Sequence, residues 1–322
     1  MKNIKTTTKY NIIFVIVSLV MGFRCIGVEE FLSSVSDSVS MAVYVLLYIL
    51  WGLLIIRKTP ADKIYNIFIL LIFFTIWAMS IFTGADYIGS TNTLALLCML
   101  YEVYFIIIDA NIVFLVLCPL IGVLARSEFL FAYMGLIIVL LIYNAIYKNK
   151  TRYIAAIIIN LCTNIGTYLF FTFSSANRIP ELIGLEDDYI GFPDISISLL
   201  RTGIMCVLLI PYIVFYVILI KKMKRAEGAF YRILPFGAIS IVPLFFMINN
   251  YGTWFFAIVA YYSLSTMALI LMNDQKVDGA FSGIINTIRS NYKYLVLLLI
   301  YAVLFTPIDN VKIGYFVNNF IR

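Results

Sequence analysis

Arginines and carboxylates meet at the ends of long apolar stretches in this chain. Arg126-Ser-Glu128 follows one stretch, Arg178 and Asp187-Asp188 lie between two others, and Arg201 sits a few residues into the next. A guanidinium grips a phosphate or pyrophosphate through two parallel hydrogen bonds. A carboxylate beside it can take the proton from a hydroxyl that is about to attack. On this pattern Arg126, Arg178 and Arg201 are candidate phosphate-binding residues, and Glu128, Asp187 and Asp188 are candidate bases. The plainer alternative is that each arginine pairs with a nearby carboxylate or reaches toward lipid headgroups. The chain has no histidine at all. That excludes acyl transfer with an imidazole base, HExxH metal sites and haem ligation. Neither a P-loop nor a GxGxxG occurs, so no nucleotide cofactor and no metal is expected.

Other ionisable residues carry weaker signals. Glu102, in Leu-Tyr-Glu-Val-Tyr, is the deepest carboxylate within an apolar run. Such a group is expensive in hydrocarbon, which makes it either a structural hydrogen-bonding group or a site for proton coupling. Glu29 and Glu30 follow the first apolar run, where a solvated helix end is the plainer reading. The five cysteines lie within or at the ends of apolar stretches and form no CxxC pair, so neither a disulfide framework nor a zinc site is indicated.

The elements that must position these residues are helices. Sixty-three per cent of the chain is apolar, 12% is charged and the mean hydropathy is +1.01. In a bilayer only helices or closed barrels satisfy every backbone polar group, so the apolar runs predict an all-α, polytopic membrane protein. Ten or eleven spans are expected, at about 10–28, 39–56, 64–83, 93–108, 112–125, 129–147, 153–174, 196–220, 231–248, 253–272 and 294–310. The first follows Lys2, Lys5 and Lys9 and lacks an Ala-x-Ala cleavage site, so it is read as an uncleaved helix.

Charge sets the orientation. Most of the basic residues fall in five clusters, around Lys2–Lys9, Arg57–Lys63, Lys148–Arg152, Lys221–Arg232 and Lys276–Lys293. All five share one side if the N-terminus is cytoplasmic, as the positive-inside rule requires. The basic residues are thus topological, and no nucleic-acid partner is expected. One helix across 93–125 would carry Lys148–Arg152 outside, so a turn at Asp109–Asn111 is predicted. No linker, soluble domain or repeat stands out, and residues 1–322 read as one transmembrane domain. Its long outer loop is 175–194. The long inner loop, 273–292, carries Phe281, Ile284, Ile285 and Ile288 at helical spacing and is expected to lie on the membrane surface.

Three resemblances add to this. Glu29 and Glu30 are similar in position to the first-loop base of lipid-phosphosugar-dependent GT-C transferases, and Asp187-Asp188-Tyr resembles a motif of polyprenyl-phosphate sugar-1-phosphate transferases, although those work on the cytoplasmic face. Asn249-Asn250-Tyr251-Gly252-Thr253-Trp254, at an outer turn, resembles an Asp-Tyr-Gly-Arg-Trp pattern of bacterial surface-polysaccharide membrane proteins, with Asn250 standing for Asp and Thr253 for Arg. The layout is similar to O-antigen and capsule polymerases of the Wzy type, without their large arginine-rich outer loops.

That last resemblance implies a polymerase or glycosyltransferase of the bacterial cytoplasmic membrane. Its partners would be membrane lipids, a polyprenyl-(pyro)phosphate-linked saccharide and other polysaccharide-assembly proteins, with Asn250 and Trp254 at the substrate. The competing expectations are a transporter or flippase, with Glu102 and Asp109 handling ions or substrate, and a non-catalytic membrane scaffold.

Overall fold

The computed structural model describes residues 2–25, 35–83, 91–126, 129–148, 151–173, 203, 210–224, 229–247, 251–291, 293–294, 296–297 and 300. Every regular element among them is helical. In chain order these are α1 (Lys2–Cys25), α2 (Val35–Lys58), α3 (Ile64–Thr83), α4 (Thr91–Ile107) and α5 (Ile112–Ala125). They continue with α6 (Phe129–Ala132), α7 (Met134–Lys148), α8 (Thr151–Phe173) and α9 (Ile210–Lys224). Then come α10 (Ala229–Ile233), a 3-10 segment (Leu234–Ile241), α11 (Leu244–Met247), α12 (Tyr251–Leu271) and α13 (Gln275–Ser290). Two stretches, Thr151–Phe170 and Trp254–Leu271, are long and apolar enough to cross a membrane. Six shorter apolar stretches accompany them, among them Ile64–Ile76, Ile112–Ala125 and Met134–Lys148.

The turn expected at Asp109–Asn111 is present, and its chemistry is visible. Asp109 adopts the left-handed region with φ 62. The Asp109 N–H donates to the Ile106 carbonyl at 3.4 Å and the Ala110 N–H to the Phe105 carbonyl at 3.0 Å, which is a Schellman stop for α4. Asn111 then caps α5 by accepting from the Val113 N–H at 3.2 Å.

Two expectations are corrected. The run 231–248 is not one helix. Pro235 opens a 3-10 segment and Pro243 falls in the turn before α11, because proline lacks the N–H that an α-helix needs and crowds the preceding turn. The inner segment 273–292 does form an amphipathic helix, α13, but its apolar stripe is turned into protein rather than toward lipid. Val277, Phe281, Ile284 and Ile285 are buried, the Phe281 ring lies 6.2 Å from that of Phe215, and α13 packs on α3. Burying side chains of this size is worth roughly 1.5–3 kcal/mol each, enough to hold the helix against the chain's own surface.

The chain clusters into two compact units, each assembled from separated segments. The first comprises Met1–Gly89, Pro211–Tyr231 and Tyr262–Pro307. The second comprises Ser90–Ile210, Arg232–Tyr261 and Ile308–Arg322. Composition gives no sign of this division, because both units are apolar throughout.

In the first unit α1, α2 and α3 pack pairwise around Phe14, Tyr48, Trp51 and Phe74. Phe14 lies so close to the α2 backbone that any Cβ on Gly52 would overlap its ring. The Tyr48 hydroxyl bonds Thr75 Oγ1 at 2.8 Å, which satisfies the one hydroxyl this aromatic cluster carries. In the second unit α4, α5, α8 and α7 form a closed ring, each packed on its two neighbours.

Candidate functional site

The ring of the second unit holds two sets of polar residues, one along its core and one at an end. Among the arginines and carboxylates expected to bind phosphate or act as base, Arg126 is the one that lies within the described residues. It ends α5, with its own N–H donating to the Gly122 carbonyl at 2.9 Å. The Phe129 N–H donates to the Arg126 carbonyl at 3.0 Å, and the Phe129 ring lies flush against Gly122, where a Cβ would overlap it. A tight, specifically packed turn therefore fixes the backbone that carries this arginine. Beside it, a shallow apolar groove runs between α5 and α8, lined by Leu120, Leu124, Gly166, Thr167 and Phe170.

Glu128, Arg178, Asp187, Asp188, Arg201 and Asn250 lie outside the described residues. Trp254 is described, and it is 1% exposed. Its indole belongs to the core of the second unit rather than to an open sugar-binding surface.

The core of the ring is where sequence and structure meet most closely. Glu102 on α4, Asn144 on α7, and Asn160 and Asn164 on α8 are all fully buried. The Asn144 side-chain amide donates to the Ile106 carbonyl at 3.4 Å, one helical turn from Glu102. The Asn160 amide donates to the Leu115 carbonyl at 2.8 Å. Asn164 donates to the Asn160 carbonyl at 2.8 Å. Both carboxyl oxygens of Glu102, and the Oδ1 atoms of Asn144 and Asn164, find no hydrogen-bond partner among the described residues.

At the end of the ring where α4 meets α5, Asp109 is held from α8. Arg152 forms an ion pair with its carboxylate and donates to its backbone carbonyl at 3.2 Å. The Tyr153 hydroxyl donates to Asp109 Oδ1.

The first unit carries a corner of the same design. Asn273, with φ 64, ends α12 in a Schellman stop, its N–H reaching Ile270 at 3.1 Å and the Asp274 N–H reaching Leu269 at 2.9 Å. Asp274 caps α13 by accepting from the Lys276 and Val277 N–H groups, both at 3.0 Å, and accepts the Tyr231 hydroxyl at 2.6 Å. Lys63 clasps the corner from outside, donating to the Ile270 carbonyl at 3.1 Å and to Asn273 Oδ1 at 3.0 Å, with Asp278 at 3.6 Å. Each corner thus pairs a left-handed polar residue with a cation from elsewhere in its unit, Arg152 on α8 or Lys63 in the turn before α3.

Comparison with protein-family models, with curated proteins and with solved structures gives no match. The chemistry must therefore be argued from the residues themselves. No group of three or more Cys, Asp or Glu side chains able to hold a metal occurs among the described residues. What the described part of the ring offers is one fully buried carboxyl group, Glu102, with the Asn144 amide bonded one helical turn away.

Sequence reasoning singled out Glu102 and Asp109 but passed over Asn144. An amide inside the run Leu140–Ile146 was the available signal, since an uncapped amide in an apolar helix must face a partner.

Proposed function

We propose that this chain is a polytopic membrane protein with a cytoplasmic N-terminus, acting in assembly of cell-surface polysaccharide. It would work as a polymerase or glycosyltransferase on polyprenyl-linked saccharides at the outer face of the bacterial cytoplasmic membrane. The membrane part is carried by the exposed apolar side chains. Leu46 on α2, Val113 on α5 and Phe170 on α8 are 62%, 59% and 59% exposed, and α1 and α9 expose comparable rows. Apolar surface on that scale is unfavourable in water and is the natural surface of a helix in lipid.

The orientation is supported by which residues find one another. Lys63 with Asn273 and Asp278, Asn66 with Ser282, Tyr231 with Asp274, and Asp109 with Arg152 all join segments that the charge pattern assigns to the cytoplasmic side.

The functional part rests on Arg126. It stands at the opposite end of α5 from the Asp109 corner, and the 14-residue helix spans about 21 Å between them. A guanidinium at that end, with an apolar groove two residues away at Leu124, suits a phosphate carried on a lipid tail. Together with the resemblance of residues 249–254 to surface-polysaccharide proteins, this favours the outer-face reading.

The test is Arg126→Ala and Arg201→Ala in the native host, with membrane insertion measured alongside. Loss of long surface polysaccharide from inserted protein is expected. Normal output from both variants would remove this site.

A second reading, a transporter, is favoured by one observation: the carboxyl group of Glu102, buried inside the ring and without a hydrogen-bond partner among the described residues.

A further inference from the structure

We propose that Glu102 is the binding site of a small hard monovalent cation, a proton or Na⁺, enclosed by α4, α5, α7 and α8. The argument starts from the cost of what is seen. A carboxyl group removed from water without donors is among the most unfavourable arrangements a chain can adopt, and in hydrocarbon no solvent comes to its aid. Glu102 is fully buried, and both of its oxygens are without a partner among the described residues. A residue retained only as a structural hydrogen-bonding group would be expected to reach a partner, as the Asn160 amide does by donating to the Leu115 carbonyl.

The surroundings define the ligand. Asn144 Oδ1 and Asn164 Oδ1 are likewise buried acceptors without donors. Among the described residues, the ring core thus holds buried oxygen atoms of Glu102, Asn144 and Asn164 that no donor satisfies. Hard oxygen donors favour hard cations. One carboxylate among neutral amides balances one positive charge, and Asp109, the other acidic side chain described in the ring, is already paired with Arg152. Cys98, one turn before Glu102, and Cys118 on α5 are the titratable groups in electrostatic reach. Tyr143 is the buried titratable side chain that α7 brings to the ring, and on α8 the charged residue is Arg152, already paired with Asp109.

An approach to the site is also visible. Glu102 lies five residues before the last residue of α4, Ile107, and Asp109 forms the left-handed stop that closes the helix, roughly 10 Å further along its axis. Between them lies the Ile106 carbonyl with the Asn144 amide on it. Asp109 and Arg152 are about one-third exposed, so polar groups lead from a partly solvated corner to a carbonyl one helical turn from Glu102. The site lies apart from Arg126, and it stands whether or not the outer face carries transfer chemistry.

The test is labelling of the purified full-length protein, reconstituted in liposomes, with a hydrophobic carbodiimide. The reagent adds to the protonated carboxyl group and the adduct is mapped by mass spectrometry. Glu102 should be modified, with labelling falling about tenfold per pH unit once the carboxyl ionises. Protection by NaCl but not by choline chloride at fixed pH would identify Na⁺ as the bound ion. No protection by either salt would identify the proton. Glu102→Gln should abolish the adduct, and Glu102→Asp should keep a pH-dependent one. A detected but unmodified Glu102 peptide at every pH, or labelling equal at all pH values and in all salts, would overturn the proposal.

Discussion

The side-chain amide of Asn160 donates at 2.8 Å to the Leu115 carbonyl, the acceptor that Pro119 leaves without its helical partner. Proline has no N–H to offer the residue four positions earlier, and an unpaired carbonyl inside an apolar ring costs about 1–3 kcal/mol. The bond therefore repairs a defect in α5 from a neighbouring helix. Asn160→Leu should destabilise the protein by about 1–2 kcal/mol in detergent unfolding. Pro119→Ala in the same background should recover part of that loss, because the helix can then satisfy Leu115 itself. Additive effects of the two substitutions would show that the repair is not what holds Asn160 in place.

A second prediction concerns Gly122. The Phe129 ring occupies the space in which a Cβ would stand, so Gly122→Val must push the ring away and loosen the turn that carries Arg126. Overpacking of this kind costs about 1–3 kcal/mol. If Arg126 acts at the outer face, Gly122→Val should lower polysaccharide output without reducing the amount of inserted protein by the same factor. Parallel loss of both would point to a folding effect alone.

The Asn273–Asp274 corner of the first unit gives a third. Asp274 caps α13 and also receives the Tyr231 hydroxyl, so Asp274→Ala removes two interactions at once and should cost about 1–2 kcal/mol. At the left-handed Asn273, glycine should be tolerated within a few tenths of a kcal/mol, whereas Val should cost about 1–2 kcal/mol. Chemical denaturation in micelles measures both. Equal stability of the Gly and Val variants would contradict the assigned backbone conformation.

Much of this architecture was legible in the sequence, for reasons that can be located. Helix ends at Asp109–Asn111 could be read because polar, turn-forming residues interrupt an apolar run and because the basic clusters allow only one parity of crossings. The broken segment after Ile233 was missed although Pro235 and Pro243 were in plain view, since apolarity alone does not distinguish α from 3-10 geometry. The stripe of α13 was seen, but its destination was not: Phe281 and Ile284 look the same in sequence whether they meet lipid or α3. Glu102 stood out because a carboxylate in an apolar run has so few explanations. That it finds no partner among the described residues depends on three other helices, and no local pattern reports it.

A fourth prediction addresses topology. Single cysteines in a Cys-free background at Lys58, Lys150 and Lys221 should react with a membrane-impermeant thiol reagent only after the cells are opened. A cysteine at Asp187 should react in intact cells. The opposite pattern would invert the chain and place Arg126 in the cytoplasm, which the proposed chemistry does not allow.

The most direct test is to delete the gene and measure two pools together: the chain lengths of surface polysaccharide and the lipid-linked intermediates. Loss of long chains with a build-up of complete lipid-linked repeats is the result expected of a polymerase, and truncated repeats that of a transferase. An unchanged profile in both pools would contradict the polysaccharide assignment and leave cation-coupled transport through Glu102 as the function to pursue.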